Sequence, residues 1–201
     1  MIEFIVKGGI FMYPIILCSI LSLAIFLEKL WSLRRNKNIP ATFLKDISHL
    51  LKDSNIDQAL QLCQANNSPL SRIFQSGIRE YGKKREIIKE MMEEVGRREA
   101  SFLERYLEVL STIANASTLL GLLGTISGMI KIFSVISSEN VVNPSNLAGG
   151  ISEALYTTAA GLTVAIPTIV FHRYISGKSN TLIIEMEEQS LNLLDLIKEK
   201  E

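Results

Sequence analysis

The sequence predicts an all-α membrane protein, with three transmembrane helices and long helices extending into a helical cytoplasmic domain. Three observations predict it. Charge is nearly absent from three apolar windows and dense between them. The windows, residues 8–27, 113–136 and 151–174, each approach the roughly 20 residues that a helix needs to cross a bilayer. The polar stretches between them carry apolar side chains at helical spacing.

The first transmembrane helix occupies residues 1–30, with 1–7 as a lead-in. Tyr13-Pro14 near its start suits an aromatic anchor and a helix-entry proline. It ends at Glu28-Lys29 and is followed by Trp31, Arg34, Arg35 and Lys37. That basic flank marks the cytoplasmic side, so the N-terminus lies outside, and Trp31 reads as an interfacial anchor. No cleavable signal peptide is expected, because a basic leader and a small-residue cleavage site are both missing.

Residues 31–110 read as a cytoplasmic helical domain. Phe43, Ile47, Leu50 and Leu51 form one apolar stripe; Ile56, Ala59, Leu60 and Cys63 form a second, with Ser54 as its expected N-cap. Ser68-Pro69 opens a third helix, cap then proline, that ends near Gly82. From Lys84 onward charges recur at helical spacing, the pattern of a solvated face. Only Gly96 weakens the pattern between Arg85 and Ile136, so one long helix is predicted, cytoplasmic at its start and transmembrane at its end.

The second transmembrane helix covers residues 111–136. It carries a small-residue stripe, Ala114, Ser117, Gly121, Gly124 and Gly128, that lets helix backbones approach in lipid. Leu119, Leu123, Ile126, Ile130 and Phe133 form a bulky opposite face. A short periplasmic loop, 137–147, contains Glu139 and no Lys or Arg. The third transmembrane helix, 148–175, has its own small face of Thr158, Gly161, Ala165 and Thr168, with Pro167 as a potential bend. His172, Arg173 and Lys178 place its end on the inner side. Residues 176–201 form an amphipathic C-terminal helix whose Ile183, Met186, Ser190, Leu193 and Ile197 suit packing on a partner helix or on the cytoplasmic domain.

Composition narrows the function. The 21 basic and 21 acidic side chains balance, which argues against nucleic-acid binding. Cys18 and Cys63 are not expected to pair, since one lies in an apolar run and the other in a charged region. There is no Walker-type loop of the form Gly-x4-Gly-Lys-Ser/Thr, and His49 and His172 are isolated, so neither enzyme chemistry, a metal nor a cofactor is expected.

The candidate site is polar and lies within the apolar runs. Glu153 has two readings: an acid favoured near a helix N-terminus, or a proton or cation relay at the mouth of a path. Thr125, Thr157 and Thr158 each have two as well, a bond to the helix's own carbonyl four residues back or a shared polar patch. Lys131 reads first as snorkelling to the outer interface, and second as an outer pore charge. A membrane protein without an ATP site can draw on an ion gradient, about 2.3 kcal/mol per charge per 100 mV. Glu153 is the one carboxylate in these two runs and is not central, so a second chain should supply the missing one.

Residues 119–133 (LLGLLGTISGMIKIF) and 150–167 (GISEALYTTAAGLTVAIP), with a weaker match at 8–30 (GGIFMYPIILCSILSLAIFLEKL), resemble the MotA/TolQ/ExbB proton-channel family, in its three-span ExbB/TolQ branch. The flagellar-stator branch is disfavoured because it expects a fourth span. The resemblance implies a bacterial inner-membrane homopentamer around the transmembrane helices of two ExbD- or TolR-like partners, which carry the protonatable Asp. Proton flow would drive motion passed to a TonB- or TolA-like protein, for outer-membrane transport or envelope maintenance. Thr125 and Thr158 match the family's threonines in the second and third spans, and Glu153 its glutamate. Thr157 matches none of these and ranks lower. Thr118 stands where a proline is usual, and Lys131 where a neutral or weakly basic polar residue is frequent. Glu153 and Thr158 are five apart, about 140° around a helix, so one pathway would need both faces or different subunits. A passive oligomeric membrane scaffold is the alternative to a motor.

Overall fold

The computed structural model describes residues 8–138 and 144–198. The lead-in and the middle of the expected periplasmic loop, Glu139 included, lie outside the described residues. The helices are α1 Met12–Ser32, α2 Arg35–Asn38, α3 Ala41–Lys52, α4 Ile56–Ala65, α5 Pro69–Arg79, α6 Arg85–Glu104, α7 Leu107–Ser138 and α8 Pro144–Lys198. Among the described residues there is no strand. Three stretches are long and apolar enough to cross a membrane: Met12–Ser32, Arg85–Ser137 and Leu147–Ile197. Only 17%, 22% and 33% of their most apolar windows is buried inside the chain, which leaves most of each span to lipid or to other chains.

The chain divides into two compact units. The apolar unit takes the chain up to Glu28 and Tyr106–Tyr174; the polar unit takes Lys29–Arg105 and the chain from Ile175 onward. In the apolar unit, Met12 and Ile15 of α1 bury against Ala160 of α8, with Leu120 and Val164 alongside. Farther along α1, buried Ser22 shares a 2.7 Å hydrogen bond with buried Thr168. Phe26 then stacks on Phe171 at 4.0 Å, with Tyr174 edge-on at 6.5 Å. The bulky face of α7 points outward, Leu119, Ile130 and Phe133 each being more than 60% exposed.

The polar unit buries Phe43, Ile47 and Leu51 of the expected α3 stripe and Ala59 and Cys63 of the α4 stripe, with Leu50, Ile56 and Leu60 half-buried; Leu70, Ile73, Phe74 and Ile78 of α5 are buried with them. Ser68 caps α5, accepting from Ser71 N at 3.2 Å, and Pro69 follows it. The cap of α4 differs from expectation. Asn55 accepts from Gln58 N, whereas Ser54 sits at φ 58°. Ser54 is the left-handed residue that closes α3, with Asn55 N reaching back to Leu50 O at 2.9 Å, so the next helix starts one residue late.

The single helix expected from Arg85 to Ile136 is in fact two. α6 ends at Glu104, Tyr106 takes φ 72°, and α7 begins at Leu107. The physical reason is Lys29, which is 3% exposed. Its Nζ donates to Phe102 O at 3.2 Å and Leu103 O at 3.1 Å, carbonyls that a continuous helix would give to its own following turn. A cation on the last carbonyls of α6 is favourable there and offsets the left-handed Tyr106.

α8 runs unbroken through Gly177, and its tail buries Leu182, Met186, Leu193, Leu194 and Ile197 inside the polar unit. Arg35 pairs with Glu185, and Arg85 with Asp195 at 2.7 Å, fixing that tail. A cleft of about 290 Å3 remains between α6 and the tail, floored by Ile73, Met92 and Met186. Between α5 and α6, Arg72 grips the 4%-exposed Glu99 with two bonds, at 2.7 and 2.6 Å. The hydrogen-bonded carboxylate holds the guanidinium further above its already high range.

Two outcomes are expected. Arg72→Ala strands a buried carboxylate and should cost about 3 kcal/mol in urea unfolding, with faster amide exchange in α5 and α6; Arg72→Met with Glu99→Leu should recover most of it. Burial pushes the Cys63 thiol up to about 12. Because the thiolate is the reactive form, Cys63 should resist maleimide at neutral pH and react only on unfolding. Its contribution to stability should fall as the pH rises from about 9 towards 12, where the unfolded chain alone ionises.

Candidate functional site

The site is built on the contact between α7 and α8, which run antiparallel. Gly161 on α8 faces the α7 backbone so closely that a Cβ there would lie 2.6 Å from Ser117 O and 2.9 Å from Gly121 Cα. One turn along, a Cβ at Gly121 would meet the Cα atoms of Gly161 and Thr158 at 3.3 Å. At Gly124 a Cβ would overlap the Thr157 side chain, and at Gly128 it would lie 2.8 Å from Ala154 Cβ. Gly150 receives Ile132 in the same way, at 2.6 Å. Small side chains at these steps bring the two backbones together, so carbonyls of one helix fall within reach of side chains on the other.

Each hydroxyl near the contact is engaged. Thr158 Oγ1 donates across it to Gly121 O at 2.9 Å. Thr157 is 1% exposed, and its Oγ1 lies 2.7 Å from Gly8 O and 2.8 Å from Glu153 O. Ser117 donates to Ile113 O at 2.8 Å and Thr118 to Ala114 O at 3.1 Å, each within its own helix. Half-buried Thr125 likewise turns to its own helix, 2.6 Å from Leu122 O, three residues back and not four.

Glu153 meets Lys131, with Nζ 2.5 Å from Oε1. The lysine side chain is 57% exposed and the glutamate 27%. The Lys131 amine is thus bound to the carboxylate of the neighbouring helix. Gly9, at φ +70°, lies against the same carboxylate oxygen, where a Cβ would overlap Oε1. No group of His, Cys, Asp and Glu able to hold a metal occurs among the described residues.

The structure thus brings Glu153, Lys131, Thr157 and Thr158 onto the α7–α8 contact, with Gly121, Gly124, Gly128 and Gly161 at their backs. Although Glu153 and Thr158 are five apart on α8, both reach α7, one at Lys131 and the other at Gly121. Ala165 is buried at 2%, and Thr168 turns to α1 through Ser22. Thr125 is not drawn into this group. Sequence reasoning missed the Gly8–Gly9 turn, whose Gly8 O lies 2.7 Å from Thr157 Oγ1. The adjacent glycines just before an apolar helix were the signal, since such a pair marks a turn.

The glycine contact has a measurable consequence. Gly161→Ala should destabilise the detergent-solubilised protein by about 2 kcal/mol, because the added methyl meets backbone and not a yielding side chain. Gly177→Ala, where a Cβ meets nothing within 4 Å, should stabilise it by about 0.5–1 kcal/mol. Denaturant midpoints of the two variants check both signs.

Residues 65–188 match the MotA/TolQ/ExbB proton channel family. Over 171 residues the chain is 34% identical to the biopolymer transport protein ExbB-like 3 of Synechocystis sp., covering 82% of this chain and 79% of that one. It is 25% identical over 195 residues to the biopolymer transport protein exbB1 of Vibrio cholerae, covering 94% and 84%. The Tol-Pal system protein TolQ of Pseudomonas aeruginosa is 32% identical over 146 residues, covering 65% and 63%. With its three apolar spans and its paired glycine-faced helices, the chain belongs to the MotA/TolQ/ExbB proton channel family, in the ExbB/TolQ branch.

Proposed function

We propose that this chain is a proton-channel and motor subunit of a bacterial inner membrane, N-terminus periplasmic and C-terminus cytoplasmic. It assembles as a homopentamer around single-span ExbD- or TolR-like partners and converts the proton motive force into work on a TonB- or TolA-like protein. One observation carries the reading. An ion pair and two engaged threonines, Lys131–Glu153, Thr157 and Thr158, line one glycine contact inside a largely apolar three-helix unit. Polar groups in such a setting are costly and mark ion paths.

Glu153 with Lys131 forms the outer mouth of the path in this reading. Thr158 and Thr125 are its hydroxyl steps, and a partner aspartate supplies the central titrating group that the described spans lack. Thr157 holds the geometry rather than the proton. A hydroxyl can donate to a backbone carbonyl and still accept from a neighbour, so the bonds of Thr125 and Thr158 leave their lone pairs available. The same bonds also support a second reading, a passive oligomeric scaffold in which the threonines only satisfy helix carbonyls.

Two measurements separate the readings. Native mass in mild detergent, with a co-expressed single-span neighbour, should show a pentamer that takes up partner chains. Thr125→Ala with Thr158→Ala should then abolish coupled proton flux in vesicles and leave the mass unchanged. A scaffold would keep its behaviour in both variants, and a ring that never takes up a partner would sink the motor reading.

A further inference from the structure

The Gly8–Gly9 turn covers Glu153 by means that the path itself does not require. Thr157 reaches that turn from α8, with Oγ1 2.7 Å from Gly8 O. This bond spans 149 positions of sequence and is buried. Thr157 has one hydroxyl proton and two carbonyls in range, Gly8 O and its own Glu153 O at 2.8 Å. A threonine serving only its own helix would need the second alone. The first ties the N-terminal approach of α1 to the turn of α8 that bears the carboxylate.

Gly9 completes the arrangement. Its φ of +70° favours glycine, and a Cβ there would overlap Glu153 Oε1 and lie 3.1 Å from Cδ. The turn is held inward on α1, where Met12 N donates to Gly9 O at 3.2 Å. On the other helix, Gly124 leaves the space that the Thr157 methyl and Cβ fill. Glu153 Oε1 therefore has both the Lys131 amine and the Gly9 backbone beside it, and Thr157 is the side chain that joins turn to helix.

We propose that Thr157 is a positioning residue that latches the Gly8–Gly9 turn over the Glu153 carboxylate and holds it against Lys131. The latch gates access to the outer mouth: with the Thr157 bond made, the carboxylate is partly covered and 27% exposed, and with it broken the turn lifts and exposes it further. The proposal deepens the proton-path reading and rests on it for its biological meaning, but the geometry can be tested without proton flow.

The probe is N,N′-dicyclohexylcarbodiimide, which modifies protonated carboxyl groups in apolar surroundings. It is applied to the full-length protein in phosphatidylcholine vesicles, and modification of Glu153 is read by mass spectrometry of its peptide. Thr157→Val keeps the side-chain shape and removes the donor. It should speed Glu153 labelling by about fivefold, the size expected for one net hydrogen bond. Thr157→Ser restores the hydroxyl and should return the wild-type rate, which a purely packing role for the methyl would not predict. Gly9→Ala displaces the turn by another route and should raise labelling on its own, with no further rise on top of Thr157→Val if the two act as one latch. Unchanged labelling in Thr157→Val, a serine variant behaving like valine, or fully additive effects would overturn the latch. If the labelling pattern holds in a protein that conducts no protons, the latch stands and the channel reading fails.

Discussion

The close approach of α7 and α8 is the constraint on which the apolar unit depends. At Gly161 and Gly121 the two backbones nearly touch, and a single methyl group would have to occupy space held by Ser117 O and Gly121 Cα. In lipid, burial of apolar surface gives little drive for helices to associate, because the tails are as apolar as leucine. Dispersion between well-fitted backbones and bonds between helices must do it. The glycines supply the first, and by lowering the separation they permit the second: Thr158 reaches Gly121 O because nothing larger than hydrogen intervenes. The same register sets Glu153 opposite Lys131, a few turns along.

Charge that is buried or half-buried finds a partner in both units. Lys29 is matched by the terminal carbonyls of α6, Glu99 by the fork of Arg72, and Glu153 by Lys131. An ion without a partner in a low-dielectric setting costs several kcal/mol, so each is held by more than one contact or shared with solvent. The helix break at Tyr106 is part of this rule. A lysine amine that must find acceptors takes them from the last carbonyls of α6, which the left-handed Tyr106 leaves without a following helical turn. A residue that flanks an apolar run thereby becomes an internal cap of a helix more than 70 positions away.

Membership of the ExbB/TolQ branch gives these features a common purpose in the proposed motor. A subunit that handles protons without a nucleotide site needs polar groups inside the membrane, yet must keep them from collapsing the packing. Here the hydroxyls donate to carbonyls that the helices already present, and the carboxylate has a cation and a glycine turn beside it. The outward-facing apolar side chains of all three spans, Leu17, Phe133 and Leu155 among them, leave broad surface for lipid or for other chains.

The all-helical class, the three spans, the apolar stripes of α3 and α4 and the Ser68-Pro69 start of α5 were legible in the amino-acid order alone. These follow from local chemistry: apolar run length, helical period and a capping side chain are properties of neighbours in the chain. That order also singled out Glu153, Lys131 and the glycines, because polar or small residues within an apolar run stand out wherever they point. Only the tertiary structure decided that Lys131 bonds Glu153, that Thr157 reaches Gly8, that Lys29 ends α6 at Glu104, and that Thr125 turns to its own helix. Each of the first three joins residues at least 22 positions apart across a helix contact, and the last depends on which acceptor a rotating hydroxyl finds. No periodicity encodes either, since the partner is set by how closely two backbones approach and in what register.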